Sequence, residues 1–577
     1  MLLEWHLNTQ MKKLNIAFVN PPHADWSLAN NMTYLMVQSH YNLVGKYKSS
    51  VNWIEAPYKF NKYTTIQELY EEISKTDIPD IVMFSSYSWN FPILDSLAEH
   101  CKRENPNIIT VTGGPHIGTH DKDLLEKRKK LYDFICQPTK PGEPYMEDII
   151  NSWFENDGKP VVEDISWELR SLKAKKHNIN TDSSVYEEHF DYLKKTLDYA
   201  KENKMEPFMI LETTRGCPYK CVYCEWGGGT DTKIIKKDIE LVKRDIDAIK
   251  KAGYRDAYLT DANFGAFEQR DLDIFAYAWS KNFNLTDIST MKSPSLERRK
   301  RLIDKWFEIV GTGPEKHSKS EGGTDMWGDT KYVSVVPTVS IQSISDEAMK
   351  VSKRKDLSCE DKLELSRHIE KRCREEGFPV PALELILAMP GSTLKDFYDE
   401  VEVIWNFKAW SSFRHDYMFL PDSELSNPEY IKQYNIETVE VYSDIIDEDG
   451  SDNWNSLYKN KKTNFRTMRS CYSYSVEDMK EMWFMNNAAN YLLRNFYQGI
   501  QEYCKPQEMA KECYNVIKTL DDFVPIREEI DDIFNPNTPP RSIRTLNGEF
   551  RVKVIDRMLE KNMTVIKSEV MSKILNK

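Results

Sequence analysis

Short apolar runs that end in proline or glycine alternate with amphipathic stretches twice along this chain, once before residue 150 and again from residue 208. Strands separated by helices are joined by crossovers and so form parallel sheets rather than hairpins. In the first series, KLNIAFVNPP (13–22), PDIVMFSSYSWN (79–90), NIITVTGGPHIG (107–118) and the start of YDFICQPTKPGEPYMEDII (132–150) read as strands, and PILDSLAEHCKRENP (92–106) as a helix. This predicts a doubly wound, Rossmann-like α/β domain over residues 1–150. Ligands of such sheets sit beyond the carboxyl ends of the strands. Asn20, Pro21, Pro22, Ser85, Ser86, Gly113, Gly114, Pro115 and His116 fall there.

Residues 151–204 are charged and weakly periodic, and read as a connector with a helix near 186–202. The second series follows. FMILETTRGC (208–217), RDAYLTDANFG (255–265), NLTDISTM (284–291), YVSVVPTVSIQS (332–343), VPALELILAMPG (380–391) and FRHDYMFLPD (413–422) read as six strands with helical stretches between them. They predict a partial (β/α)6 TIM-like barrel over 205–426, with its chemistry at the strands' C-terminal ends. Residues 427–577 read as a mainly helical domain.

Composition narrows the function classes. With 78 basic and 91 acidic residues the chain carries −13, which argues against an extensive nucleic-acid surface. No apolar run approaches the roughly 18–20 residues that span a bilayer. The opening MLLEWHLNTQ lacks the pattern of a secretory signal. Seven of the ten cysteines are isolated, as in a reducing compartment, so the expected location is cytoplasmic.

The other three stand in CPYKCVYC (217–224). A structural zinc site wants four ligands, usually in two separated pairs, and no partner pair exists. A redox pair needs only Cys221 and Cys224 and leaves Cys217 unexplained. A 4Fe-4S cluster is held by thiolates, and three protein ligands leave one iron open. The triplet Gly227-Gly228-Gly229 lacks the Lys-Ser/Thr of a P-loop and reads as close backbone passage.

The spacing C-x3-C-x2-C after the first barrel strand resembles the radical S-adenosylmethionine (SAM) superfamily. The resemblance implies Cys217, Cys221 and Cys224 as cluster ligands and Tyr223 as the aromatic residue against the adenine. DANF (261–264) is similar to the family's second-strand segment near the SAM amino group, without the commoner Gly-Gly-Glu. Thr260, Asp261 and Asn263 remain unranked as acceptors there. SIQSISDEAMKVSKR (340–354) resembles the fourth-strand segment, which implies Ser340 and Gln342 facing the barrel and Arg354 on the SAM carboxylate. ELILAMPGST (384–393) and LPDSELSNPEY (420–430) resemble the fifth- and sixth-strand exits.

A doubly wound domain ahead of such a barrel resembles the cobalamin-dependent, or class B, radical SAM subfamily. GGPH (113–116), NPP (20–22) and GEP (142–144) carry that likeness, which adds Glu143 to the cobalamin set. The Asp-x-His-x-x-Gly motif is missing and His23 in NPPHADW does not fit it, so no histidine on cobalt is expected; Tyr87, Trp89 or Asn90 would cover the lower face. The resemblance implies methylation of an unactivated carbon through a 5′-deoxyadenosyl radical and methylcobalamin, on a small molecule or peptide. It also implies a reductant such as flavodoxin or ferredoxin. Two alternatives stand beside it: a non-methylating cyclisation or rearrangement with the same cofactors, and a non-catalytic iron–sulfur electron carrier. KKTNFRTMR (461–469) reads as a basic loop.

Overall fold

The computed structural model describes residues 12–21, 31–60, 64–136, 142–161, 184–205, 207, 209–225, 234–286, 292–311, 323–324, 330–331, 337–378, 380–381, 383–407, 412–415, 417–444, 462–542, 550 and 553–576. Pro22, His23, the Gly227–Gly229 triplet and most of the connector lie outside the described residues, as do the tail of the third barrel segment and the start of the fourth. The chain divides into two compact units, one before Met209 and one from Met209 onward, apart from short excursions.

The first unit holds a five-stranded parallel sheet. Its strands are β1 (Leu14–Val19), β2 (Val51–Trp53), β3 (Ile81–Ser85), β4 (Ile109–Gly113) and β5 (Phe134–Ile135), in the order β2-β1-β3-β4-β5. Leu14, Ile16, Ile81 and Val82 are fully buried, as expected where helices cover both faces of a parallel sheet. Local chemistry sets the helix starts. Thr65 and Glu68 form a capping box ahead of Ile66–Ile73, and Asp121 caps Lys122–Leu131. Strand β2 escaped the sequence reading because three half-buried residues carry no detectable period. It matters, because the order 2-1-3-4-5 puts the topological switch point between β1 and β3.

The second unit repeats the alternation. Its strands start with β6 (Ile210–Leu211), β7 (Thr214–Arg215), β8 (Ile235–Lys236), β9 (Asp256–Leu259) and β10 (Asn284–Thr286). They continue with β11 (Gly323–Thr324), β12 (Thr330–Lys331), β13 (Val339–Gln342), β14 (Leu383–Ile386) and β15 (Ser412–His415). Two parallel triplets, β10-β9-β6 and β13-β14-β15, carry the six barrel strands, and helices stand between them. The stretch read as one strand over 208–217 is broken. β6 pairs with β9, whereas β7 turns away to pair antiparallel with β8. The cause is local: the backbone N–H groups of Thr213 and Thr214 go to the Asp261 carboxylate instead of a ladder.

Beyond the barrel the chain is mainly helical, with Val476–Asn495, Pro506–Ile517, Val524–Ile533 and Arg557–Leu575 as its longer described helices. It also carries a small sheet that the sequence reading missed: β16 (Glu437–Asp444) and β17 (Lys462–Ser470) pair antiparallel, and β18 (Arg541–Ser542) joins β16. Val439 and Val441 on β16 are buried, two residues apart as one strand face requires. The basic stretch read as a loop over 461–469 is, from Lys462 on, strand β17. This region shares a core with the barrel, and the Tyr474 hydroxyl donates to the Ala388 carbonyl at 2.7 Å. Among the described residues no helix is long and apolar enough to cross a membrane.

One buried cation strains this core. Lys362, on the helix Cys359–Glu376, is fully buried, and its Nζ reaches only the Ile341 carbonyl at 3.4 Å and the Met349 sulfur at 3.3 Å. Burial, with Arg354 and Arg299 adding, lowers its pKa to about 8, against the opposing pull of Asp356 and Cys359. A depressed lysine pKa means that the cost of burying the charge is fully present below pH ~8 and is relieved as pH rises toward the unfolded value. Lys362→Met is therefore expected to raise the melting temperature at pH 7, by an amount corresponding to roughly 1–3 kcal/mol. The gain should shrink between about pH 8 and 10.5. Melting curves of both proteins across that range check it.

Candidate active site

In the second unit the cysteine loop is tied down at both ends. It leaves β7 through Gly216, whose φ of +93° favours glycine. Cys217 and Cys221 are buried and Cys224 is half-buried. Between them the Val222 N–H donates to the Ser352 carbonyl at 3.1 Å, and the Val222 carbonyl accepts from Leu425 N–H at 2.8 Å. The Tyr219 hydroxyl donates to the Lys292 carbonyl at 2.9 Å. The loop is thus pinned to segments following β10, β13 and β15.

Arg354 organises the side of the loop nearest β13. Its Nη1 donates to the Tyr223 hydroxyl at 2.9 Å, and its Nη2 to the Ser340 carbonyl at 2.7 Å and to Asp356 at 3.3 Å. Asp356 also pairs with Arg299 at 2.8 Å. Burial opposes the charge on Arg354, but Tyr223 and Asp356 outweigh it and the guanidinium stays protonated. Only its buried Nε has no hydrogen-bond partner. Burial raises the Tyr223 phenol above its ordinary range.

The remaining SAM candidates are placed separately. The Ser340 hydroxyl donates to Glu384 on β14 at 2.5 Å, a partner that sequence alone did not suggest. Gln342 stands at a bulge with φ +70°, one of the strained positions that gather at strand ends near sites. The Asn263 side-chain oxygen accepts the Lys292 N–H at 2.7 Å. Asp261 is buried and accepts from both Thr213 and Thr214. Directly after the third cysteine, burial and then Asp422 push the Glu225 carboxyl up to about 8, while its Oε1 accepts the Asp422 N–H at 3.2 Å. The acid adjoining Cys224 was the readable signal for that pair.

The first unit brings the ends of β1, β3 and β4 together. Asn90 donates to the Asn20 side chain at 2.8 Å and to the Ser85 carbonyl at 3.1 Å, and its oxygen accepts the Tyr87 N–H at 2.8 Å. It therefore bridges the switch point, with both amide hydrogens spent within the protein. Tyr87 and Trp89 stack on one another, centroids 4.5 Å apart. Gly114 lies on the Ser86 backbone: a Cβ there would stand 2.5 Å from the Ser86 oxygen, and its φ is +100°. The ends of β3 and β4 are joined as well, since the Gly113 carbonyl accepts the Ser86 N–H at 2.7 Å. Pro115 and His116 complete this loop, and the Ser86 carbonyl accepts the His116 N–H at 3.2 Å. Pro21 is buried at the end of β1, and Glu143 is buried in the first turn of Gly142–Glu155.

Beneath the loop sits a buried cation that sequence reasoning missed. Arg128 donates to the His116 carbonyl, faces the Phe91 ring at 5.0 Å and lies 3.5 Å from Asp95. His116 stacks on the same Phe91 at 4.5 Å. Burial, then Arg128, lowers the His116 pKa to about 3, so the ring is neutral at neutral pH.

Comparison with known proteins places both halves. Residues 60–142 match the B12 binding domain. Across the whole chain, the solved structure of the radical SAM methyltransferase TsrM from Kitasatospora setae, with cobalamin and a [4Fe-4S] cluster bound, superposes with a TM-score of 0.54. It is 13% identical and covers 95% of this chain and all of that one. The fold is that of the cobalamin-dependent radical SAM enzymes. OxsB, a cobalamin-dependent SAM radical enzyme solved with aqua-cobalamin and SAM, gives 0.53 at 13% identity, over 98% of this chain and 84% of its own. By sequence, the cobalamin-dependent radical SAM methyltransferase TokK of Streptomyces tokunonensis is 24% identical over 406 residues, 69% of this chain and 55% of its own. The 2-(S-pantetheinyl)-carbapenam-3-carboxylate methyltransferase of Streptantibioticus cattleyicolor is 24% identical over 396 residues, 67% and 54% respectively. The chain thus spans about half the length of these curated relatives.

The glycine loop yields a direct test. Gly114→Ala forces a Cβ into the Ser86 backbone at a left-handed φ and is expected to cost about 1–3 kcal/mol. Gly142→Ala, where nothing lies within 4 Å of the added Cβ, should change little. Thermal melts of the two ligand-free variants against the parent decide it.

Proposed function

We propose that this chain is a cobalamin-dependent radical SAM methyltransferase that methylates an unactivated carbon. The observation that carries the reading is the union, in one chain, of a B12 binding domain match with three cysteines on a pinned loop at the head of a six-strand series. Residues 1–150 are read as the cobalamin module, 151–204 as a connector, 205–426 as the radical SAM barrel and 427–577 as a C-terminal domain.

The donor chemistry fits a cluster. Cys217, Cys221 and Cys224 bring three thiol groups to one loop, which is anchored through the Val222 backbone. Among the described residues no three or more His, Cys, Asp and Glu side chains form a group suited to a single metal ion, whereas thiolates are the ligands of an iron–sulfur cube. When bound, the cluster supplies the electron that cleaves SAM, and cobalamin supplies the site that carries the methyl group. Tyr223 and Arg354 form a rigid wall beside the cluster loop, in which the guanidinium favours an anionic group such as the SAM carboxylate. Ser340 on β13, Gln342 at its end and Asn263 in the turn after β9 are read as further SAM contacts. Burial of Cys217 and Cys221 keeps water from that side of the loop. On the first unit, Asn20, Pro21, Ser85, Ser86, Gly113, Gly114, Pro115, His116 and Glu143 are read as the cobalamin bed. Gly114 permits close approach, and neutral His116 takes no charge into it. The substrate is read as a small molecule or peptide, the reductant as a protein such as flavodoxin or ferredoxin, and the location as cytoplasmic.

The test is anaerobic reconstitution with iron, sulfide and cobalamin, followed by turnover of methyl-labelled SAM with candidate substrates. Label in a product together with 5′-deoxyadenosine is expected, and Cys217→Ala, Cys221→Ala and Cys224→Ala should each abolish both. 5′-Deoxyadenosine with an unlabelled product would make the enzyme a non-methylating relative. A cluster that never cleaves SAM would make it an electron carrier.

A further inference from the structure

The Asp261 carboxylate is fully occupied. Its Oδ1 accepts the backbone N–H groups of Thr213 at 2.7 Å and Thr214 at 3.0 Å. Its Oδ2 accepts the hydroxyls of the same residues at 2.5 and 2.8 Å. A carboxylate offers about four acceptor positions, and all four are taken within the protein. Thr213, Thr214 and Asp261 are each 5% exposed or less.

The two threonines are the last residues before the cysteine loop but for Arg215 and Gly216. A second set of contacts locks them from behind. The Thr213 carbonyl accepts from Arg270 Nη2 at 2.9 Å and from the Lys237 N–H at 2.9 Å. Arg270 Nη2 also donates to the Lys237 carbonyl at 2.6 Å, and Nη1 reaches Asp271 at 2.7 Å. Asp271 in turn accepts the Gly265 and Phe267 N–H groups at 2.8 and 3.0 Å. Three segments meet here: the start of the cysteine loop, the end of β8 and the turn after β9.

We infer that Asp261 is a positioning residue for the cysteine loop, which through Thr213 and Thr214 fixes the point from which Cys217 emerges, and that it does not bind SAM. The inference rests on the cluster reading above and assigns Asp261 a role in cluster retention. A side chain whose acceptor positions are spent on two backbone N–H groups and two hydroxyls cannot receive an ammonium group without releasing the loop. Loss of the carboxylate frees β7 relative to β6 and lets the first thiolate drift from the other two.

The experiment uses the full chain, anaerobically reconstituted, as parent, Asp261→Asn, Thr213→Val/Thr214→Val and Thr213→Ser/Thr214→Ser. Iron and sulfide content, the electron paramagnetic resonance spectrum of the dithionite-reduced cluster and SAM affinity of the cluster-bearing fraction are measured, with circular dichroism reporting folding. Asp261→Asn and the double valine variant, which leaves the carboxylate in place, should each retain several-fold less iron and show an altered spectrum. The double serine variant should match the parent, and SAM affinity of the loaded fraction should stay within about twofold. Full iron and a parental spectrum in Asp261→Asn, with weakened SAM binding, would overturn the inference in favour of direct SAM contact. Full iron in the double valine variant would overturn it too. A parent that takes up no cluster defeats the functional reading itself, a result distinct from either.

Discussion

A buried carboxylate that spends itself on two backbone N–H groups and two hydroxyls is the pivot of the second unit. Removing Asp261 from water raises its pKa to about 6, and the Thr213 and Thr214 donors pull the other way. Hydrogen bonds to a charged group contribute on the order of 1.5–3 kcal/mol each, which offsets part of the desolvation. The geometric consequence is larger than the energetic one. By claiming consecutive N–H groups the carboxylate ends β6 after two residues and diverts the chain into β7, so that the next turn carries the thiols away from the sheet. Val222, held between Ser352 and Leu425, then sets the far side of that turn.

The sequence was legible where a period or a turn residue marked an element. The strands ending in Asn20-Pro21, Ser85-Ser86 and Gly113-Gly114 stand where their apolar runs predicted, because a parallel strand buried on both faces is a run of apolar residues. β2 was invisible: Val51, Asn52 and Trp53 have neither length nor pattern, and only the edge of the sheet makes them a strand. β16 and β17 were missed for another reason. Charged residues such as Glu437, Glu440, Arg466 and Arg469 interrupt an alternation that the buried Val439 and Val441 reveal. The cysteine triplet could be read from spacing. What Asp261 does could not, since its four donors lie 47 and 48 residues away in sequence. Glu384 and Arg128 are hidden for the same reason: nothing around either residue announces Ser340 or His116.

The two units shape the ends of their strands by opposite means. In the first, the strand order creates the crevice, and close backbone packing shapes it: Gly114 on Ser86, and Asn90 stitched to Asn20 and Ser85 across the switch point. Arg128 stays below this surface, fully buried against Phe91. In the second, buried charge does the shaping. Asp261, Asp271 and Arg270 fix one flank of the cysteine loop, while Arg354, Asp356 and Arg299 fix the other. Such networks are demanding, because each unmet partner costs more than a met one contributes.

The charge balance of that second flank extends to the loop. Arg299, Arg354 and Lys362 gather around a single carboxylate, Asp356, and the surplus of cations is one reason that Lys362 gives up its proton easily. Left alone, three cations against one anion would be a poor way to build a core. Arg354, however, also feels Cys221. The loop itself is joined to this network, since Arg354 donates to the Tyr223 hydroxyl between Cys221 and Cys224. The cations that strain Lys362 thus also flank the cysteine loop: Arg354 answers both to Asp356 and to the Tyr223 hydroxyl on that loop, so the cost in the core and the fixing of the loop come from one network.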